Sequence, residues 1–380
     1  MNSPEILTHL GAMSVPQFMR RHWQRRPLVI RQALPGFKPP VDRAALFKLA
    51  ASDEVESRLV RHTPQGPALA HGPFQRLPAP KQAGWTLLVQ GVDLHVDAAH
   101  ALLARFRFIS DARLDDLMIS YATDGGGVGP HVDQYDVFLL QAEGRRRWRI
   151  APPGDTRIVP GASLRILAAF EPTEEWVLEP GDLLYLPPGW GHDGVAEGPC
   201  MTYSVGFRAP SRQEFLSAFL AAAAECPGGA DPRFGDRGRL PEASPARIPA
   251  DLEAGLRDWA LNWRPKPAEV EAFIGRWLTE PKPTVWFDRP EALTAARFQR
   301  GAVRSGLKLD RRSKMLWRSN TVFLNGEALS VPTGDRRWLK RLADTRQLQP
   351  QECEEALQRP ALLEVLHTGY EAGWIHFLQA

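Results

Sequence analysis

From Asp115 to Phe207 the chain is divided into short runs of branched and aromatic residues separated by Gly and Pro, and no other feature limits its fold as much. The runs fall at 117–121, 135–141, 146–151, 175–178, 182–186 and 200–207. Many short strands with such turns predict a β-sandwich or barrel. Helical patterns come first: Ser14 with Pro16 opens a helix ahead of a strand at 27–31, a second helix covers 43–51, and Asp97 caps a third running to about 105. Strands are expected at 55–61, with Val55, Ser57 and Leu59 on one face, and at 85–89.

After Phe207 the periodicity becomes helical. Ser211 and Glu214 form a capping box, and Phe215, Leu216, Phe219 and Leu220 follow on one face. The 227–249 stretch, rich in Gly, Pro, Asp and Arg, reads as a loop. Leu252, Leu256, Trp259 and Trp263, then Val270, Phe273 and Trp277, resume helical spacing with more apolar surface than a small unit can bury, so a dimer contact is expected. Beyond Pro281 the pattern predicts a helix near 291–299, a strand at 314–317, a hairpin at 321–329 turning on Asn325-Gly326, helices near 338–342, 353–357 and 361–367, and a strand at 374–378. That order points to a winged-helix module. The expected division is 1–208, 209–280 and 281–380.

With 43% hydrophobic and 24% charged residues in 380, the chain can build a core, and its length allows two or three domains. Its 47 basic and 44 acidic residues leave +3, which gives no global argument for nucleic acid. On the late helix, Arg336, Arg337, Lys340 and Arg341 read as a solvated face before a DNA-reading one. No apolar stretch reaches the ~18 to 20 residues of a spanning helix, and no basic-then-apolar leader is seen, so a soluble, untargeted protein is expected. Cys200, Cys226 and Cys353 are far apart and odd in number, which argues against a disulfide framework or zinc site and for a cytoplasmic location.

The chemistry centres on the glycine-rich run before His131-Val-Asp133 and on Gly181-Asp182-Leu-Leu-Tyr-Leu-Pro-Pro-Gly-Trp-Gly-His192. Residues two apart on a strand point the same way, so His131 and Asp133 can share a metal. Two imidazoles and a carboxylate on one face of a metal leave open positions, the set used by non-haem Fe(II) oxygenases.

The segment from Leu117 to Phe207, with Gly127-Val-Gly-Pro-His131-Val-Asp133-Gln-Tyr-Asp-Val-Phe and Gly144-Arg-Arg-Arg-Trp-Arg149, resembles the JmjC-type, cupin-fold oxygenases and specifically their ribosomal oxygenase branch. The resemblance implies a mainly β fold with helices: a double-stranded β-helix followed by a helical dimerisation unit and a winged helix. It implies a homodimer, Fe(II) held by His131, Asp133 and His192, and 2-oxoglutarate with dioxygen as co-substrates. It also implies hydroxylation of an arginine β-carbon on ribosomal protein sixteen of the large subunit. By the same resemblance Arg146 grips the distal carboxylate of 2-oxoglutarate. Alternation puts Arg146, Trp148 and Ile150 on the inward face if apolar residues fill the barrel, with Arg145, Arg147 and Arg149 outward. A flat hairpin closed at Glu143-Gly144 would instead set Arg146 opposite Gln141, far from Asp133. Ser120 reads either as a co-substrate contact or as a hydroxyl satisfied inside the barrel. Acidic and aromatic residues near the ligands, Asp115, Asp116, Asp124, Tyr135 and Asp136, offer a pocket for a cationic side chain, with Asp124 and Tyr135 chosen among them.

Rival readings are histidine hydroxylation, lysine demethylation, a metal cupin without 2-oxoglutarate, and an idle binding module. The metal cupin is disfavoured because Asp133 stands where a second His is usual and no Glu follows before Glu143.

Overall fold

The structure is a computed structural model that describes residues 5–64, 66–225, 233–237 and 246–378. Most of the predicted 227–249 loop lies outside the described residues. A two-strand ladder, β1 (His9–Leu10) and β2 (Met13–Ser14), leads into α1 (Val15–Arg21), which starts at Ser14 with proline in its first turn, as predicted. The main sheet comprises β3 (Leu28–Ile30), β4 (Ser57–Thr63), β5 (Gly66–His71), β6 (Trp85–Val89), β7 (Leu114–Ala122), β8 (His131–Val132), β9 (Asp136–Ala151), β10 (Glu174–Leu178), β11 (Leu183–Leu186) and β12 (Gly191–Phe207). Its strand order is β3-β11-β9-β12-β7-β6-β4-β5, with β10 also on β9 and β8 on β12, and all these pairs are antiparallel.

The two long strands close the barrel because each pairs twice along its length. One half of β9 pairs with β11 and the other with β10, and β12 runs beside both halves. Inward and outward residues then alternate. Leu117, Ile119 and Tyr121 of β7, Trp85, Leu87 and Val89 of β6, and Tyr203, Val205 and Phe207 of β12 pack outward against α1, α2 (Arg43–Ala50) and α3 (Asp97–Ala104), where Phe18, Leu46 and Leu103 meet them. Burying each such side chain contributes about 1.5 to 3 kcal/mol, so this layer fixes the sheet. The intervening residues face a cavity. Asp97 is not the cap of α3; Val96 precedes the helix, and Asp97 lies in its first turn paired with Arg311.

The flat hairpin weighed as an alternative at Glu143-Gly144 is absent, and β9 passes straight through that dipeptide. Gly144 has φ +63, and a Cβ there would lie 2.2 Å from the Pro199 carbonyl oxygen, so only glycine fits. The signal marks a β-bulge, visible as a break in register between Arg145–Glu197 and Gln141–Thr202. Across the break β12 takes five steps to the four of β9, and the inward parity of β9 changes. Val137 and Leu139 point into the barrel before it, and Arg146 and Trp148 after it. Arg145, Arg147 and Arg149 face out and pair with Glu197, Glu175 and Asp193.

Helices α4 (Arg212–Glu225), α5 (Ala250–Asn262) and α6 (Pro267–Thr279) follow. The Ser211 hydroxyl accepts from the Glu214 amide at 3.0 Å and the Glu214 carboxylate from the Ser211 amide at 3.4 Å, the predicted capping box. Phe215, Phe219, Phe273 and Trp277 meet edge to face between α4 and α6. The last module contains α7 (Ala295–Ser305), β13 (Leu307–Leu309), β14 (Met315–Arg318), β15 (Thr321–Leu324), β16 (Glu327–Leu329), α8 (Arg336–Thr345), β17 (Gln347–Leu348), α9 (Pro350–Ala356), α10 (Pro360–Glu371) and β18 (Ile375–Phe377) around its own apolar core. The Asn325-Gly326 turn joins β15 to β16 with both residues at positive φ. The basic side chains of α8 have partners in the chain: Arg336 on the Val331 carbonyl, Arg337 over Trp338, Lys340 over Trp317 and Arg341 on Glu352.

Candidate active site

Pairing of β8 with β12 sets His131 directly opposite His192, with ring centroids 4.2 Å apart. Asp133 follows β8, and its Oδ2 is 3.6 Å from His192 Nε2. One ligand atom from each of the three lies within 4.8 Å of the others. The rings are aimed by their other nitrogens: His131 Nδ1 meets the Gly129 carbonyl at 2.9 Å and His192 Nδ1 the Trp190 carbonyl at 3.1 Å. With Nδ1–H donated to a carbonyl, Nε2 keeps a free lone pair, the tautomer a metal requires. Burial, with His131 as a neighbour, pulls the His192 pKa down to about 4, so the ring is neutral and ready to ligate at neutral pH. The glycine run before His131 has a steric role. A Cβ on Gly127 would come within 2.6 Å of the Gly194 carbonyl oxygen, so the strand could not approach β12 as closely with any other residue.

Next to the triad is a cavity of about 750 Å³ lined from β4, β6, β7, β9 and β12 and covered by the loop between β9 and β10. Arg146 is 4% exposed, and its Nη1 donates to the Ser120 hydroxyl at 3.1 Å and to the Thr202 hydroxyl at 3.2 Å. Among the described residues no carboxylate stands within ion-pair distance of it, and its Nε has no partner. Burial lowers its pKa, the cost of keeping this cation without a counter-ion. A bound dicarboxylate would remove that cost, and hydroxyls around one guanidinium match a carboxylate with two oxygens to satisfy. The Ser120 hydroxyl is satisfied inside the barrel, since it also donates to the Thr202 carbonyl at 3.4 Å.

The remaining expectations separate. Tyr135 lines the cavity at its mouth, 41% exposed. Asp124 does not line it; its carboxylate accepts from the Gly198 amide at 2.8 Å and holds a turn. Asp136 is fully buried on the other side of the sheet, bonded to Tyr185 and Gln24. Of the acids named from the sequence as pocket candidates, Asp115 and Asp116 line the cavity with Tyr135; Asp116 is 4% exposed, with Met118 beside it. Its Oδ2 is held by Gln90 and the Gly91 amide, while burial raises its pKa. Thr202 and Trp148 were not singled out from sequence. Thr202 could have been found by counting in twos from His192 along β12, and Trp148 was placed on the correct face without being given a role.

The JmjC domain family matches residues 101–215, and the ROXA-like winged helix family matches residues 257–376. The ribosomal protein uL16 3-hydroxylase of Escherichia coli is 35% identical over 366 residues, 95% of this chain and 97% of its own. The chain belongs to the bacterial ribosomal oxygenase family. The crystal structure of Escherichia coli YcfD superposes with a TM-score of 0.85 at 33% identity, covering 98% of this chain and all of that one. YcfD, described as a ribosomal oxygenase, has also been solved with cobalt and 2-oxoglutarate, with a TM-score of 0.83 at 33% identity over 97% and 99% of the two chains. The ribosomal oxygenase fold thus extends through the whole described chain, barrel, helices and winged helix together.

Proposed function

We propose that this chain is an Fe(II)- and 2-oxoglutarate-dependent protein hydroxylase acting on the β-carbon of an arginine in ribosomal protein uL16. The observation that carries it is the convergence of His131, Asp133 and His192 at the edge of a cavity that also holds Arg146 without a counter-ion. His131, Asp133 and His192 would hold the metal. Arg146, with Ser120 and Thr202, binds the distal carboxylate of 2-oxoglutarate. Bound iron with 2-oxoglutarate and dioxygen supplies the oxidising power that puts one oxygen atom into an unactivated C–H bond, leaving succinate and carbon dioxide.

The protein's contribution is position and exclusion of water. Trp148 walls the site beside His192, with ring centroids 6.0 Å apart. Tyr135 and Met118 offer apolar walls to a substrate's methylenes, and Asp116 offers a carboxylate to its guanidinium. A cation there offsets the cost of burying Asp116.

The chain acts as a homodimer in the cytoplasm, with 1–208 as catalytic domain, 209–280 as dimerisation domain and 281–380 as winged-helix domain. Leu216, Leu220, Leu256, Trp259, Leu261 and Trp263 are 44% to 63% exposed on or beside α4 and α5, and a second copy would cover them. No described helix is long and apolar enough to cross a membrane. The partners supplied to α8 from within the chain favour a solvated face over nucleic-acid contact.

The test is to incubate Fe(II)-loaded protein, 2-oxoglutarate and air with uL16 peptides and with the same peptides carrying Lys or His at the arginine. A gain of one oxygen on the arginine peptide alone supports the reading. A gain only on the His peptide, or, with methyl-lysine at the same position, loss of a methyl group, replaces it with a rival of the same superfamily.

A further inference from the structure

The strand that carries Asp116 is gripped from outside the barrel. Lys282, just after α6, places Nζ 3.0 Å from Asp115 Oδ1. Lys314, just before β14, donates from Nζ to the Leu114 carbonyl at 3.1 Å. Both cations come from the C-terminal part of the chain, and both land on the first residues of β7. Asp115 and Asp116 line the large cavity on one side and, on the other, a small cavity of about 130 Å³ between the barrel and the last module. One dipeptide is therefore the wall between the two.

Charge concentrates at this wall. Asp93 is 3% exposed, accepts from the Leu117 amide at 2.8 Å and lies near Asp116. Lys282 acts on Asp93, Asp115 and Asp116 together and opposes the rise in pKa that burial imposes on the first and last. Its bridge to Asp115 is half-exposed, and such pairs contribute little to folding. Position gives it more weight, because small displacements of a substrate-contacting strand are costly to binding and rate.

Resting on the arginine reading above, we infer that Lys282 is a positioning residue for the protein substrate: its ammonium fixes Asp115 and thereby the β7 edge on which Asp116 receives the substrate cation. The C-terminal part of the chain thus sets substrate affinity from outside the barrel. Neither the metal triad nor Arg146 depends on Lys282, so co-substrate binding is independent of it.

The experiment uses the full chain with four variants: Lys282→Met, Lys282→Arg, Asp115→Asn and the double variant Lys282→Met/Asp115→Asn. Peptide affinity is measured on protein loaded with Co(II) and 2-oxoglutarate, and KM and kcat on the Fe(II) enzyme. Lys282→Met is expected to weaken peptide binding and raise peptide KM about tenfold, the effect of losing roughly 1.4 kcal/mol, with kcat and the KM for 2-oxoglutarate changed less than about twofold. Lys282→Arg should recover most of the affinity, and the double variant should bind no worse than Asp115→Asn, since coupled residues are not additive. Unchanged peptide affinity in Lys282→Met, additive losses in the double variant, or a parallel fall in 2-oxoglutarate affinity overturns the positioning role. A wild-type chain that neither binds nor hydroxylates an arginine peptide overturns the arginine reading itself, and this inference with it.

Discussion

The Arg146 guanidinium donates from Nη1 to the Ser120 hydroxyl at 3.1 Å across the barrel interior, and among the described residues no carboxylate neutralises it. The chain keeps a buried cation that only a ligand can pair. Stability is given up where binding is gained.

This relation separates binding from folding in one variant. Arg146→Met should lower 2-oxoglutarate affinity by at least roughly 30-fold, the low end of the cost of removing one partner of a buried charge pair. The thermal midpoint of the ligand-free protein should stay level or rise, because an unpaired buried charge is removed. Calorimetric titration with 2-oxoglutarate and a thermal melt check the two parts, and a variant that melts well below wild type contradicts them.

Gly194 and Trp148 are locked together. A Cβ on Gly194 would lie 2.6 Å from the Trp148 ring, which in turn packs beside His192 and under Arg146 at 5.3 Å. Gly194→Ala should destabilise the fold by about 1 to 3 kcal/mol, the usual cost of overpacking, and weaken Co(II) binding as well. Replacing Trp148 with Leu in the same chain should recover part of the stability. Urea midpoints of the single and double variants give the comparison.

Asp93 sets a pH dependence whose sign can be worked out. Its folded pKa is raised to about 7, first by burial and then by Asp116, from the ordinary carboxyl value of 3.8. Between those values the unfolded chain ionises while the folded one holds the proton, so stability contributed at low pH is lost as pH rises from about 4 to about 7. Asp93→Asn keeps an acceptor for the Leu117 amide and has no proton to lose. Its urea midpoint should therefore gain on wild type across that window and level off above it.

The apolar face of α4 and α5 has a direct test in solution. Trp259→Glu combined with Leu256→Glu should convert a dimer to a monomer in sedimentation velocity without changing Co(II) binding. A wild-type chain that sediments as a monomer ends the dimer reading.

Much of this was legible in the sequence because the chemistry uses local signals. His131 opens β8 and Asp133 stands two residues on, just past its end, and His192 follows a strand and a turn, so their convergence needs only β8 to pair with β12. Arg146 was harder. Gly144 carries the same mark in a hairpin as in a bulge, and only the pairing of β9 with two different strands tells which it is. Asp124 and Asp116 show the limit most clearly. Both are aspartates near the ligand strands, but the parity of β7 turns Asp116 into the cavity, whereas Asp124 sits beyond the strand end and serves a turn. Thr202, eighty-two residues from Ser120 in the chain, meets the same guanidinium only because β12 lies between β7 and β9.

The central claim is tested most directly by one mass-spectrometric experiment under isotopically heavy dioxygen. Fe(II)-loaded protein, 2-oxoglutarate and a uL16 peptide should give a peptide carrying one heavy oxygen on the arginine side chain, with at least one heavy-labelled succinate per hydroxylation, and neither product with His131→Ala. Unlabelled peptide with no succinate formed, from a protein shown to bind Co(II) and 2-oxoglutarate, would contradict it.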